Sequence, residues 1–154
     1  MKRAVLPSIL LLTAFCAGRG PSPVSVPGHG AISIEVIPNP IVATHVRDDA
    51  YSFPFEVVMR ETGGRPVDVA RVTATVYALG GIRLGTESYD AAEIRKLGYS
   101  PRIPAYGELR YRFSPQRSVP DERLFGGVSA ELRVEGVDDT GTPTSASTSV
   151  SVRR

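Results

Sequence analysis

An all-β sandwich of two sheets and about seven strands, with one short helix, is the fold class this sequence predicts, and three observations predict it. Apolar residues recur at every second position in most segments between Ala31 and Val152, the period of a half-buried strand. Clusters of Gly, Pro, Asn and Asp interrupt those segments at short intervals, as turns between strands require. Helical signals are confined to the stretch from Asp90 to Gly98. A sheet with one apolar face has to bury it, and a second such sheet is the simplest cover.

Taken in order, Ile32, Ile34 and Val36 alternate with Ser33 and Glu35 in a first strand that Pro38-Asn39-Pro40 interrupts. Tyr51, Phe53, Phe55, Val57 and Met59 share one face of a second strand, with Ser52, Pro54, Glu56 and Arg60 opposite. After a Gly63-Gly64 turn, Val72, Ala74, Val76 and Ala78 face one way and Arg71, Thr73, Thr75 and Tyr77 the other. Gly80-Gly81 ends this third strand, and Ile82 to Glu87 forms a shorter fourth. A helix is expected from Ala91 to Leu97. Asp90 caps its start, Glu93 completes the capping box, Ile94 and Leu97 face the sheet, and Gly98 takes the left-handed stop. Leu109, Tyr111 and Phe113 then alternate with Glu108, Arg110 and Arg112, and Val128, Ala130, Leu132 and Val134 with Ser129, Glu131, Arg133 and Glu135. Asp138-Asp139-Thr140-Gly141 reads as a turn into a last strand, Ser145 to Val152.

The start of the chain carries a different signal. Lys2-Arg3 precedes an uncharged, mostly apolar run from Ala4 to Phe15, then Cys16. That layout predicts an export signal over residues 1–16, since a membrane-spanning helix needs about 20 apolar residues. Leu12 to Cys16 resembles a bacterial lipoprotein signal, which makes Cys16 the candidate lipid attachment site; Phe15 departs from the small residue usual before such a cysteine. Ordinary cleavage after Cys16, or a residue or two later, is the other route. Residues 17–30 are rich in Gly, Pro and Ser and read as a spacer, leaving 31–154 as one domain.

With 42% apolar and 22% charged residues, the composition is that of a folded globular domain. A single cysteine excludes an internal disulfide, so packing alone must hold the domain. Without Lys2 and Arg3 the chain carries 16 basic and 16 acidic residues. Such a balance lacks the positive surplus of a nucleic-acid binder, so no nucleic-acid partner is expected.

From Ile32 to Val152, and most of all in Val128 to Gly141 followed by Ser147 to Val152, the chain resembles bacterial immunoglobulin-like and fibronectin type III-like domains of exported proteins. The resemblance implies an immunoglobulin-like sandwich with a presentation or binding role and no particular chemistry.

A search for reactive constellations finds few. His29 lies in the spacer and His45 in a polar loop, neither at ligand spacing from another His or Cys, so no metal site is expected. Asp48-Asp49 and Asp138-Asp139 stand where turns favour Asp, and calcium needs about six or more oxygens. No nucleophile elbow, zinc-protease helix or phosphate-cradling loop occurs. The expectation is therefore a non-enzymatic protein with no cofactor. Sugar binding would rest on exposed aromatic rings; the chain has no Trp, and Tyr99 and Tyr106 are the suggestive pair. Arg102, Arg110, Arg112, Arg117 and Arg123 crowd the fifth strand. Arginine with tyrosine is a combination favoured at interaction hot spots, which makes Arg102, Tyr106, Arg110 and Arg112 the candidate partner-binding residues. A solvated face balanced by Glu108, Asp121, Glu122 and Glu131 is the competing reading.

These observations point to an exported binding or structural accessory module of the cell envelope, with an envelope protein as partner and membrane contact only through a lipid anchor. The alternative is a carbohydrate-binding or substrate-positioning module of an extracellular hydrolytic system.

Overall fold

The structure, a computed structural model, describes residues 28–154. The expected signal over 1–16, Cys16, and all but the end of the 17–30 spacer lie outside the described residues. The described residues form an all-β sandwich of two layers with one short α-helix.

One layer pairs β1 (Ile32–Ile37), β5 (Phe55–Glu61) and β9 (Glu108–Phe113) in the order β1-β5-β9. It continues into β3 (Thr44–Arg47), β4 (Ala50–Ser52) and β10 (Gln116–Ser118), ordered β10-β4-β3. The break between the two ladders falls at Pro54 and Pro115, which lack the N–H a ladder needs. The Phe53 N–H donates to the Pro115 carbonyl at 3.0 Å and bridges the gap. This is why the single second strand expected from the alternation is two strands. The phase of the alternation survives the break, with Tyr51, Val57 and Met59 all buried.

The other layer orders β2 (Ile41–Val42), β12 (Pro143–Arg153), β11 (Ser129–Asp138), β6 (Val67–Tyr77) and β7 (Arg83–Asp90), with β8 (Arg102–Ile103) pairing β6. β2 lies parallel to β12 and the other pairings are antiparallel. β2, β3, β8 and β10 were not expected from the sequence. None exceeds four residues, too short for alternation to declare itself.

Along β6 the inward phase changes. Val67 and Val69 are buried, then Val72, because the register with β11 skips Ala70 in a bulge. The fourth strand extends past Glu87 to Asp90 and runs straight into the helix. That helix, α1 (Ala91–Lys96), has the expected capping box and is closed by Gly98 at φ +87°. Its Ile94 is buried, but Leu97 is 50% exposed at the C-cap and does not pack down as expected. Val36, Val57, Met59, Tyr111, Leu132, Val134 and Val150 belong to one core between the layers.

Candidate functional site

The outer face of the β1-β5-β9 layer carries Arg110 and Arg112, two of the arginines singled out in the sequence. Cross-strand register sets Glu35 and Arg110 on either side of Val58. The charges form a continuous ladder. Arg60 donates to Glu35 at 3.0 Å and to Glu108 at 2.7 Å, while Arg110 donates to Glu108 at 2.6 Å and to Glu56 at 2.7 Å. Arg112 Nε closes the row on Glu56 at 2.8 Å. The bonds from Arg112 and Arg110 hold the Glu56 carboxyl below its usual range, and Glu108 and Glu56 push the Arg110 guanidinium up. Val58, at the outward position between Glu35 and Arg110, is fully buried.

The remaining candidates are dispersed. Arg102 pairs with Asp68 of β6 at 2.8 Å, on the opposite layer from Arg110 and Arg112. Arg117 pairs with Glu87, and Arg123 lies 3.9 Å from Asp121. Tyr99 stacks against Tyr111, ring centroids 4.8 Å apart, and its hydroxyl donates to the Arg112 carbonyl at 3.0 Å. It is part of the packing. Burial pushes the Tyr111 hydroxyl up to about 12. Tyr106 is 77% exposed, with its ring over Gly64. The two tyrosines do not form a joint platform.

Two carboxylates are buried: Glu61, which the sequence reading did not single out, and Asp138, which it took for a turn residue. Glu61 accepts from the N–H groups of Ala31, Gly63, Gly64 and Tyr106 at 2.6–3.0 Å. Burial alone would raise its pKa, but those bonds together hold it below the usual range. Asp138 accepts from the Gly30, Thr140 and Thr142 N–H groups and the Thr140 hydroxyl. The bond from Gly30, then those from Thr140 and Thr142, overcome burial and depress its carboxyl strongly. Both groups brace loops at the end where the described chain enters the sandwich. His29 is half-exposed, 3.9 Å from Asp138, and His45 Nε2 sits 2.8 Å from the Asp48 carbonyl. Among the described residues no three His, Cys, Asp or Glu side chains are grouped to hold a metal.

Among the described residues an apolar cleft of about 820 Å³ opens between the two layers. Its walls are inner-face residues: Phe53, Phe55 and Phe113 from one layer, Ala74, Val76 and Leu132 from the other. Of these only Leu132 is fully buried. The sandwich stands ajar because β7 edges one layer and β9 and β10 edge the other, and among the described residues no strand spans the gap between them. Leu84, Leu97 and Leu124, all exposed, line the rim. Arg117 of β10 reaches Glu87 of β7 across it. Alternation assigned the phenylalanines to the core and could not show that the core is open. The one signal available was Leu124, an apolar residue that belongs to no alternating segment.

No protein-family model matches the sequence, and no curated protein matches it significantly. Solved structures do resemble the fold. The X-ray structure of Northeast Structural Genomics Consortium target SoR45 superimposes with a TM-score of 0.52 at 10% identity, covering 82% of this chain and 89% of that one. The putative ApaA protein from Bordetella pertussis gives 0.51 at 13% identity, covering 84% of this chain and 99% of that one. At such identities the likeness is one of fold: the chain shares an all-β sandwich architecture with these proteins.

Proposed function

We propose that this is a non-enzymatic, exported binding module of the cell envelope, and that its ligand enters the cleft between the sheets. The observation that carries the reading is the half-exposed inner face. A sandwich of this size normally closes over its Phe and Val side chains, and a well-formed apolar concavity with a few polar groups at its rim is the usual form of a ligand site. The use made of the perturbed carboxylates supports the non-enzymatic part. Glu61 and Asp138 are held ionised by loop N–H groups and spend their accepting capacity on structure; a general acid or base would need its pKa moved toward neutrality. Export rests on Lys2-Arg3 and the apolar run that follows.

Two measurements test this. The intact mass of the protein from envelope or medium should show loss of at least residues 1–15, with added diacylglyceryl mass on Cys16 if the lipoprotein route is used. Retained Met1 in exported material would overturn export. The neutral fluorophore N-phenyl-1-naphthylamine should brighten saturably on the purified full chain at one site per molecule, and Ala74→Phe, which fills the cleft, should abolish the signal. A linear, non-saturating response would overturn the binding role.

A further inference from the structure

We infer that the hairpin tip joining β6 to β7 is a membrane-docking surface, which sets Leu79 and Ile82 into the headgroup layer of an anionic bilayer with Arg83 at the lipid phosphates. Ala78-Leu79-Gly80-Gly81-Ile82 is a run without one polar side chain, at a turn where polar residues are the rule. Leu79 is 75% exposed and Ile82 66%. Gly80 and Gly81, at φ +79° and +78°, make the turn, and a Cβ at either would meet open space. The tip therefore projects from the sandwich uncovered by any described residue. Two bonds close it on itself: the Ala78 N–H donates to the Ile82 carbonyl at 2.8 Å, and the Gly81 N–H to the Ala78 carbonyl at 3.1 Å. Part of its backbone is thus already satisfied on entering a medium poor in hydrogen-bond partners.

Neighbouring segments widen the apolar surface and give it charge. Leu79 lies against Gly127, just after the 3-10 turn Glu122–Phe125, whose Leu124 is exposed, and Leu84 is exposed on the other side of Arg83. A projecting turn with bulky apolar side chains suits a soft interface that closes around it, at the depth where the apolar face of an interfacial helix settles. Arg117, Arg123 and Arg154 face Glu87, Asp121 and Glu122. Arg83, between Ile82 and Leu84, has no carboxylate partner among the described residues, so its guanidinium is open to a phosphate, which accepts paired bonds. That surplus charge selects anionic over zwitterionic lipid. The tip lies past the end of β6, roughly 33 Å along the strand from Val67 at the rise of a strand, and Val67 is where the chain enters beside Gly30. The contact is therefore separate from the lipid anchor expected at Cys16. It is separate from the cleft as well, whose lining includes neither Leu79 nor Ile82.

The test uses the full chain, and because its apolar run from Ala4 to Phe15 can also meet lipid, the readout is local. The chain has no Trp, so one introduced tryptophan reports from each end of the sandwich. Emission from Ile82→Trp should shift to the blue on vesicles of phosphatidylglycerol mixed with phosphatidylcholine, and brominated acyl chains should quench it. Tyr106→Trp, at the opposite end beside Gly64, should respond to neither. Within the Ile82→Trp chain, Arg83→Gln should lower the tip's partition constant, read from that shift, about fivefold, and Leu79→Ser about tenfold. Circular dichroism melts of both variants should match the parent, since both side chains are exposed. No shift at Ile82→Trp with the anionic vesicles, an equal shift with phosphatidylcholine alone, or an equal shift at Tyr106→Trp overturns the inference. A tip that ignores lipid but crosslinks to an envelope protein overturns it too, in favour of a protein partner. Binding of N-phenyl-1-naphthylamine, measured without vesicles, is independent of these results, so the cleft reading stands or falls separately.

Discussion

Leu132 and Phe55 show how far a single residue's place can be read from alternation. Both occupy inward positions, as their spacing requires, and both belong to the core between the layers. Leu132 is 2% exposed, and Leu132→Ala should cost about 2–5 kcal/mol. Phe55 stands at the cleft wall and already meets open space on one side. Phe55→Ala should thus cost less than the roughly 3–5 kcal/mol of a closed-core phenylalanine. Urea midpoints of the two variants check this, and equal losses would mean that the cleft is closed in solution. Local hydrogen-bonding signals were fully legible: Asp90, Glu93 and Gly98 do in the structure what their spacing implies. Glu61 and Asp138 were not, because their partners Ala31, Tyr106 and Gly30 lie 30, 45 and 108 positions away. A carboxylate in a turn looks the same in sequence whether it is solvated or buried.

At the level of elements, the strands that alternation declares are present, and those it missed are the ones defined by their neighbours. The bulge in β6 is one such feature. Skipping Ala70 lets Val67 and Val69 face inward together with Val72, and it brings Gly136 of β11 against the start of β6. A Cβ at Gly136 would lie 2.7 Å from a Val67 methyl and 2.8 Å from the Asp68 carbonyl oxygen. Gly136→Ala should accordingly lower the melting temperature by several degrees, whereas Gly85→Ala on β7, where added atoms meet open space, should change it far less. A scan of the two variants by circular dichroism decides the point. The arginine ladder belongs to this scale as well. Its residues were visible as a cluster, but their pairing with Glu35, Glu56 and Glu108 follows from the order β1-β5-β9, which is a tertiary fact.

For the whole molecule, the sandwich class was legible from composition and period. The openness was not, since it depends on which strands end up at the edges. Acid should act on the molecule as a unit through Glu61 and Asp138. The folded-state pKa of each is lowered from an ordinary 4.5 and 3.8. The unfolded chain therefore takes up these protons first as pH falls. The stability they confer is complete above about pH 5 and is lost progressively below the ordinary carboxylate range, down through the lowered folded values. Urea midpoints should be level from pH 7 to 5.5 and drop clearly by pH 3, with a smaller drop in Glu61→Gln; an unchanged midpoint at pH 3 would contradict the bonding described. The same two carboxylates have a mechanical consequence. Gly30 is bonded to Asp138, Ala31 to Glu61, and the Gly28 carbonyl to Arg65, so tension arriving along the chain from before residue 28 meets these three moorings in turn. Load is passed to loops joined to both layers before it can peel β1 from β5, and acid that protonates the carboxylates would slip the anchor without first unravelling the sheets.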